Sequence, residues 1–225
     1  MEPLLPPRRP LRRATQALTL LEVMIVIAVI GVLIALVAPS MREMIGMQRL
    51  RGIAAQAVTD VQFARSEALS RNQFVGFLVR NNAAESMSCY TLFASSIDPL
   101  NASSLDPSKC NCTANPGNAC IGTQREVRIV QVPRSQDIQL RLPRFQEKWF
   151  AYNPVIGGIS IVSSGAPIDR DFCFEVTRRP RGRLRIDISL AGRPTVCSPD
   201  QSVPGFDLCP APDPGVKNCL GIPAP

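Results

Sequence analysis

The chain has 225 residues, a formal net charge of +7, eight cysteines and no histidine. The lack of histidine excludes the Ser-His and Cys-His nucleophile pairs, and it excludes zinc sites that need an imidazole ligand. Four arginines lie within the first 13 residues, so the rest of the chain is only modestly basic.

An apolar run at residues 18–39, LTLLEVMIVIAVIGVLIALVAP, follows this basic leader. As a helix, residues 18–38 would be about 31 Å long, close to the thickness of the hydrocarbon core of a bilayer. By the positive-inside rule the leader stays cytoplasmic, which predicts export of the rest of the chain. The run contains one carboxylate, Glu22. An ionisable group in hydrocarbon is costly unless paired, so Glu22 is a candidate functional residue.

Three interpretations of this segment compete. A secretory signal peptide would have a shorter, uncharged core. A plain single-pass anchor has the right length but gives no reason for Glu22. The third interpretation uses all the features, because the basic leader, the small residue Ala17, the sequence L-T-L-L-E and the long apolar run together resemble the type IV prepilin signal.

That resemblance implies a specific processing site. Prepilin peptidase would cut between Ala17 and Leu18, Leu18 would be N-methylated, Thr19 would be the second mature residue and Glu22 the fifth. Ala17 replaces the usual glycine and Leu18 the usual phenylalanine. Pro39 stands where the family commonly has a proline that kinks the helix. Glu22 would pair with the new amine of its own or a neighbouring subunit and so guide assembly; the alternative is a side chain that reaches the cytoplasmic interface.

Helical periodicity continues beyond the apolar run. Apolar residues recur at spacings of three and four, at Met47, Leu50, Ala54, Ala57, Val61, Ala64 and Ala68. This stripe predicts one helix over residues 18–71, bent near Pro39, whose second half packs on a globular domain. The charged residues of this half mostly lie off the stripe; they are Arg49, Arg51, Asp60, Arg65 and Glu67.

The remainder predicts strands at residues 74–80, 89–94, 126–132, 138–142, 156–162, 172–177 and 184–190, with loops at 95–124 and 198–225. The fold class is therefore α+β, with a long N-terminal helix packed on a mainly antiparallel β-sheet. The segments A-L-T-L-L-E, D-V-Q-F-A-R-S-E-A-L-S-R-N, D-F-C-F-E-V and L-R-I-D-I-S-L-A-G-R are similar to GspH/FimT-type minor pilins and pseudopilins. This resemblance implies the type IV pilin fold.

The resulting organisation has four parts: a leader at 1–17, a transmembrane segment at 18–39, an amphipathic helix at 40–72 and a periplasmic β-rich head with cysteine-rich loops at 73–225. The implied function is structural and not enzymatic, with no cofactor or metal. The subunit would meet prepilin peptidase, other pilin or pseudopilin subunits and the inner-membrane assembly platform, in a type IV pilus or a type II secretion pseudopilus, with a priming or tip role. A membrane-anchored periplasmic domain that never assembles is the alternative.

The cysteines predict disulfides. An even number in an exported chain favours them; a cysteine-only zinc site is the alternative, but its usual C-x2-C spacing is missing between Cys110 and Cys112. Cys173 and Cys197 flank the last two predicted strands, and we expect a bridge between them. The other cysteines are expected to staple the loops.

Five arginines in eight residues form the strongest candidate binding site: Arg178, Arg179, Arg181, Arg183 and Arg185. Such a patch can neutralise phosphates without reading sequence. Some FimT-like proteins are DNA receptors that use a G-R-x-R motif, which Gly182-Arg183-Leu184-Arg185 matches. By position the counterpart is the segment beginning at Gly192 and Arg193, which lacks the second arginine. A solvated basic hairpin is the alternative to DNA binding.

Overall fold

The computed structural model describes residues 19–81, 87–98, 100–133, 137–142, 148–160 and 172–210, without the side chains of residues 37–39. The chain divides into two compact units, residues 1–43 and 44–225. The predicted leader and Leu18 lie outside the described residues.

Helix α1 runs over Leu20–Arg71, close to the predicted bounds. All its described side chains from Leu20 to Leu36 are exposed. Among the described helices, none meets the length and hydropathy criteria for a membrane span by itself, whereas Leu20–Leu36 and Ser40–Arg71 meet them together as a bent pair. The predicted kink at Pro39 falls among the residues whose side chains are not described, so it stays a prediction.

The second unit contains two antiparallel sheets. The first has the order β3-β2-β1-β5-β6 and consists of β1 Val75–Asn81, β2 Met87–Ser95, β3 Gln124–Pro133, β5 Trp149–Tyr152 and β6 Ile159–Ser160. The second has the order β4-β7-β8-β9 and consists of β4 Ile138–Arg141, β7 Phe172–Arg178, β8 Arg183–Ile188 and β9 Pro194–Cys197. Two short 3-10 turns occupy Ala102–Ser104 and Pro107–Lys109. The α+β fold class is confirmed.

The main differences from the predicted strands are β5 and β9, which the sequence did not reveal. Both have only four residues, and β9 begins with a proline, which is tolerated at the first position of a strand. The strand predicted at 156–162 is reduced to β6 within the described residues.

The predicted stripe of α1 is buried in the main core. Its residues from Leu50 to Ala68 are at most 1% exposed, and Met47 packs against them. They share one cluster with aromatic side chains of both sheets. The ring of Phe77 lies 5.0 Å from Tyr90, 5.3 Å from Phe150 and 5.9 Å from Phe174 between centroids. Phe77 in β1 therefore links the first sheet to Phe174 in the second.

The first sheet is buried on its other face too. A second cluster joins Phe74, Leu78, Phe93, Trp149 and Ala151 of the sheet region to Leu105 and Cys110 of the long segment between β2 and β3. Two disulfides, Cys89–Cys112 and Cys110–Cys120, fasten this segment. The Glu126 carboxylate also accepts hydrogen bonds from the backbone of Gly117 and Ala119, at 2.9 and 3.0 Å. The predicted loop is thus a fixed cover for the sheet.

The predicted bridge between Cys173 and Cys197 is wrong. Cys197 is bonded to Cys209, and Cys173 forms a different disulfide. Strand β8 lies between the two cysteines, because Cys173 in β7 is opposite Asp187 and Cys197 in β9 is opposite Arg185. Two strand spacings amount to about 9 to 10 Å, beyond the reach of a disulfide.

Two charged residues of α1 are buried, although most charges of this half were expected to avoid the buried face: Glu67 at 9% exposure and, deeper inside the head, Asp60. It is only 1% exposed, and it lies three residues after Ala57 and four before Ala64. The Tyr90 hydroxyl donates a 2.6 Å hydrogen bond to it, and Arg128 forms an ion pair with it. Burial and this hydrogen bond raise the pKa of Tyr90 above its usual range, so the hydroxyl stays a donor. Asp60 thus ties α1 to β2 and β3.

We expect Asp60→Ala to lower the free energy of unfolding by about 3 kcal/mol, because it leaves a buried hydroxyl and a guanidinium without their acceptor. Tyr90→Phe should cost about half as much, because only one hydrogen bond is lost. The measurement is denaturant unfolding of the full-length protein in detergent, followed by near-ultraviolet circular dichroism.

Thr59→Ala is the matched control, because Thr59 is exposed and its hydroxyl donates a hydrogen bond to Ala55 O within α1. It should change the free energy of unfolding by less than about 0.5 kcal/mol. Equal effects of Asp60→Ala and Thr59→Ala would contradict the role given to the buried carboxylate.

Candidate functional site

The first site is the start of α1. The backbone N–H of Glu22 lies 3.2 Å from Thr19 Oγ1 and 3.1 Å from Thr19 O, so Thr19 caps the helix. Thr19 and Glu22 have the T-x-x-E spacing of a capping box. Glu22 is exposed in the first turn, where the helix dipole favours a carboxylate, and no ion pair to it occurs among the described residues. Its carboxylate is therefore open to a cationic partner; Ala17 and Leu18 lie outside the described residues.

The second site is the turn between β7 and β8, residues 178–183, which we call the basic turn. The backbone N–H of Arg178 donates a 2.8 Å hydrogen bond to Gly182 O, which closes the turn. Gly182 has φ +120°, and a Cβ atom there would come within 2.8 Å of Leu50 Cδ2. The close approach and the positive φ both require glycine. The basic turn therefore packs directly on α1.

The five predicted arginines have different roles in this region. Arg183 forms a 2.9 Å ion pair with Glu175, and Arg185 forms one of the same length with Asp187. Arg185 is only 8% exposed. The second and fourth residues of the G-R-x-R match are thus bound to carboxylates within the second sheet, where alternate residues of β8 share a face.

Arg178, Arg179 and Arg181 differ from this pair. A Cβ atom at Gly46 would overlap the Arg178 guanidinium, so this side chain lies against α1. Its Nη1 atom is buried and has no hydrogen-bond acceptor among the described residues. Arg179 and Arg181 are exposed, and the described part of the chain offers no ion pair to either side chain. The free positive charge is concentrated in these three residues.

A polar groove of about 700 Å³ borders the basic turn. The cations along it come from the turn and from Arg141, whereas Asp137 and Asp200 contribute negative charge on the same lining. The backbone N–H of Arg179 donates a 3.0 Å hydrogen bond to Asp137 O, which fixes one side of the groove. The groove is therefore mixed in charge, and its positive side is the turn.

The structure does not bring Arg193 to this site. Arg183 begins β8 and Arg193 follows its other end, so the two are separated by a strand length of about 17 Å. The turn before Arg193 has its own packing role: Gly192 O accepts a 3.0 Å hydrogen bond from Tyr152 Oη, and a Cβ atom at Gly192 would lie 2.6 Å from the Tyr152 ring. Burial raises the pKa of Tyr152 above its usual range, which keeps this hydroxyl protonated.

Two family models match the chain. The model described as type II transport protein GspH matches residues 54–192, more than half of the 225 residues. The chain belongs to the GspH family. The prokaryotic N-terminal methylation motif matches residues 12–38, which include Ala17, Leu18 and Glu22. Searches of curated proteins and of solved structures gave no significant match.

The family match agrees with the architecture of this GspH-family protein, because it covers α1 from Ala54 onward and both sheets as far as Gly192, short of β9. The contact between α1 and the basic turn was not predicted from the sequence. Gly46 was the available signal, since an isolated glycine within a helical pattern usually has a packing reason.

The division among the arginines predicts unequal effects on stability. Arg185→Ala should lower the free energy of unfolding by about 2 to 3 kcal/mol, because it removes a mostly buried guanidinium and its ion pair with Asp187. Arg181→Ala should change it by less than about 0.5 kcal/mol, because that side chain is exposed. Denaturant unfolding in detergent measures both values. A loss at Arg181 as large as that at Arg185 would contradict the assignment.

Proposed function

We propose that this GspH-family protein is a minor pilin or pseudopilin that is anchored in the bacterial inner membrane, processed by prepilin peptidase and assembled into a fibre. The observation that supports it most directly is the methylation motif at residues 12–38, which overlaps a helix start capped by Thr19 and bearing Glu22. Its role is structural, as a priming or tip subunit, with a periplasmic head.

Processing would generate the charge that Glu22 needs. A cut between Ala17 and Leu18 creates an α-amine four residues before Glu22. Each charge alone is costly in a membrane, and pairing lowers that cost. Glu22 is exposed and has no ion pair among the residues that the structure describes, so it can then pair with the methylated amine of a neighbouring subunit. The exposed apolar side chains of Leu20–Leu36 would pack against lipid first and against neighbouring helices in the fibre afterwards.

The fibre that contains this subunit is either a type II secretion pseudopilus or a type IV pilus. The matching family is described as a type II transport protein, which favours a pseudopilus of type II secretion over a type IV pilus. DNA reception through residues 178–185 is the alternative function. The ion pairs of Arg183 and Arg185 remove two of the five cations from phosphate binding, so we place the structural role first.

Mass spectrometry of the N-terminus of the membrane-extracted protein tests the processing step. We expect a chain that begins at methylated Leu18. Retention of residues 1–17 would leave a membrane-anchored domain that never assembles, and a start at Pro39 or later would indicate an ordinary secreted protein. Either result would contradict the proposal.

Glu22→Ala should permit cleavage and impair assembly. An unpaired amine in the membrane costs about 2 kcal/mol or more, so incorporation into fibres should fall at least about tenfold. Crosslinking to other pilin-like subunits, with N-terminal mass spectrometry on the same sample, measures both steps. Glu43→Ala is the matched control, since Glu43 is an exposed glutamate of α1 beyond the apolar run. The assembly role fails if Glu22→Ala and Glu43→Ala subunits crosslink equally.

A further inference from the structure

We propose that the basic turn contacts the anionic phosphate surface of the inner membrane while the subunit is still anchored there. The occupant of this surface is a phospholipid headgroup with net negative charge. The inference rests on the proposed membrane insertion and adds a binding surface to it. Its cations are Arg178, Arg179 and Arg181 of the turn and Arg49 of α1; we call these four residues the membrane-side patch.

The basic turn meets α1 near the beginning of the helical part of the head. A Cβ atom at Gly182 would lie 2.8 Å from Leu50 and 3.7 Å from Met47, and Arg178 lies against Gly46. Gly46 follows the end of the apolar run at Ala38 by eight residues in the sequence. The basic turn therefore contacts the beginning of the part of α1 that belongs to the head, the end that is nearer to the apolar run in the sequence.

The turn before Arg193 provides the contrast. Gly192 packs on Gly157, and Gly157 packs on the part of α1 that contains Arg65 and Leu69. Leu69 follows Gly46 by about 35 Å of helix. The two arginine-bearing turns thus contact opposite ends of the helical part of the head, and only the basic turn adjoins the end near the apolar run.

The membrane-side patch carries four positive charges that can bind an anionic group. Arg49 is exposed and lies three residues after Gly46, so its side chain emerges about 5 to 6 Å from the position that Arg178 covers. Among the described residues, no member of the patch has an ion-pair partner, and the buried Nη1 of Arg178 lacks an acceptor. Asp137 and Asp200 line the groove beside the turn, but neither forms an ion pair with the patch among the described residues. Guanidinium groups without an ion-pair partner favour a phosphate, which can accept two parallel hydrogen bonds from each.

A lipid surface fits this patch better than a DNA duplex. The anchor holds the head beside the membrane, so headgroup phosphates are present at a high effective concentration. A duplex would need a longer row of cations, but Arg183 and Arg185 are paired within the sheet and Arg193 lies beyond the other end of β8. The contact would hold the head on the membrane until the subunit is drawn into the fibre.

The test uses the membrane-extracted protein that begins at Leu18, in nanodiscs of phosphatidylcholine with a fraction of photoactivatable phosphatidylglycerol. Crosslinks mapped by mass spectrometry should fall on residues 178–183 and Arg49. Each basic side chain near an anionic surface changes the affinity by about fivefold, so Arg179→Gln with Arg181→Gln should lower the crosslink yield by about tenfold or more. Arg125→Gln with Arg193→Gln removes the same charge from two other exposed positions and should leave the yield unchanged.

Three results would overturn the proposal. The first is an equal yield with photoactivatable phosphatidylcholine, and the second is an equal loss in both double variants. The third is a turn that crosslinks to photoactivatable duplex DNA and not to phosphatidylglycerol, which would make DNA the ligand. The N-terminal mass of the same sample shows whether Leu18 was processed, so failure of this contact is distinguished from failure of the proposed function.

Discussion

Burial of the alanine-rich stripe of α1 against the aromatic side chains of two sheets is the interaction on which the head depends. Neither sheet closes on itself, and the stripe provides the surface that both of them share with Phe77 at the centre. Each large apolar side chain removed from water contributes about 1.5 to 3 kcal/mol. Hydrophobic burial alone does not fix how α1 is aligned on the sheet. Asp60 helps to fix this alignment, because its buried carboxylate needs the hydrogen bond from Tyr90 and the ion pair with Arg128.

Period and residue type were enough to predict the helix, most strands and the fold class. The hydrophobic pattern could not show that Asp60 is buried. The sequence around a carboxylate beside an apolar stripe is the same whether the side chain faces water or a partner on a distant strand. The disulfide partner of Cys197 was predicted wrongly for a different reason. It depends on the order of the strands, and that order is a property of the sheet that no local window of sequence contains.

The arginine cluster shows how neighbours in sequence are separated by a strand. Alternation places Arg183 and Arg185 on the same face of β8 as Asp187, while the turn residues Arg179 and Arg181 lie outside the ladder. The arginines of one short segment therefore have two different roles: some form ion pairs within the sheet, and others are exposed at the turn. Both Gly-Arg pairs have a glycine that packing requires, Gly182 against Leu50 and Gly192 against Tyr152, so a short motif match here reflects backbone constraints as much as ligand binding.

The cover over the first sheet places the tryptophan side chain next to two disulfides. Trp149 is the only tryptophan of the chain and is 5% exposed, beneath the segment that Cys89–Cys112 and Cys110–Cys120 fasten. Its neighbours belong to the cover and to the outer face of the sheet, not to the stripe of α1. The indole is thus a native optical reporter of thiol oxidation, whose emission distinguishes a head with its bridges formed from one that is still reduced.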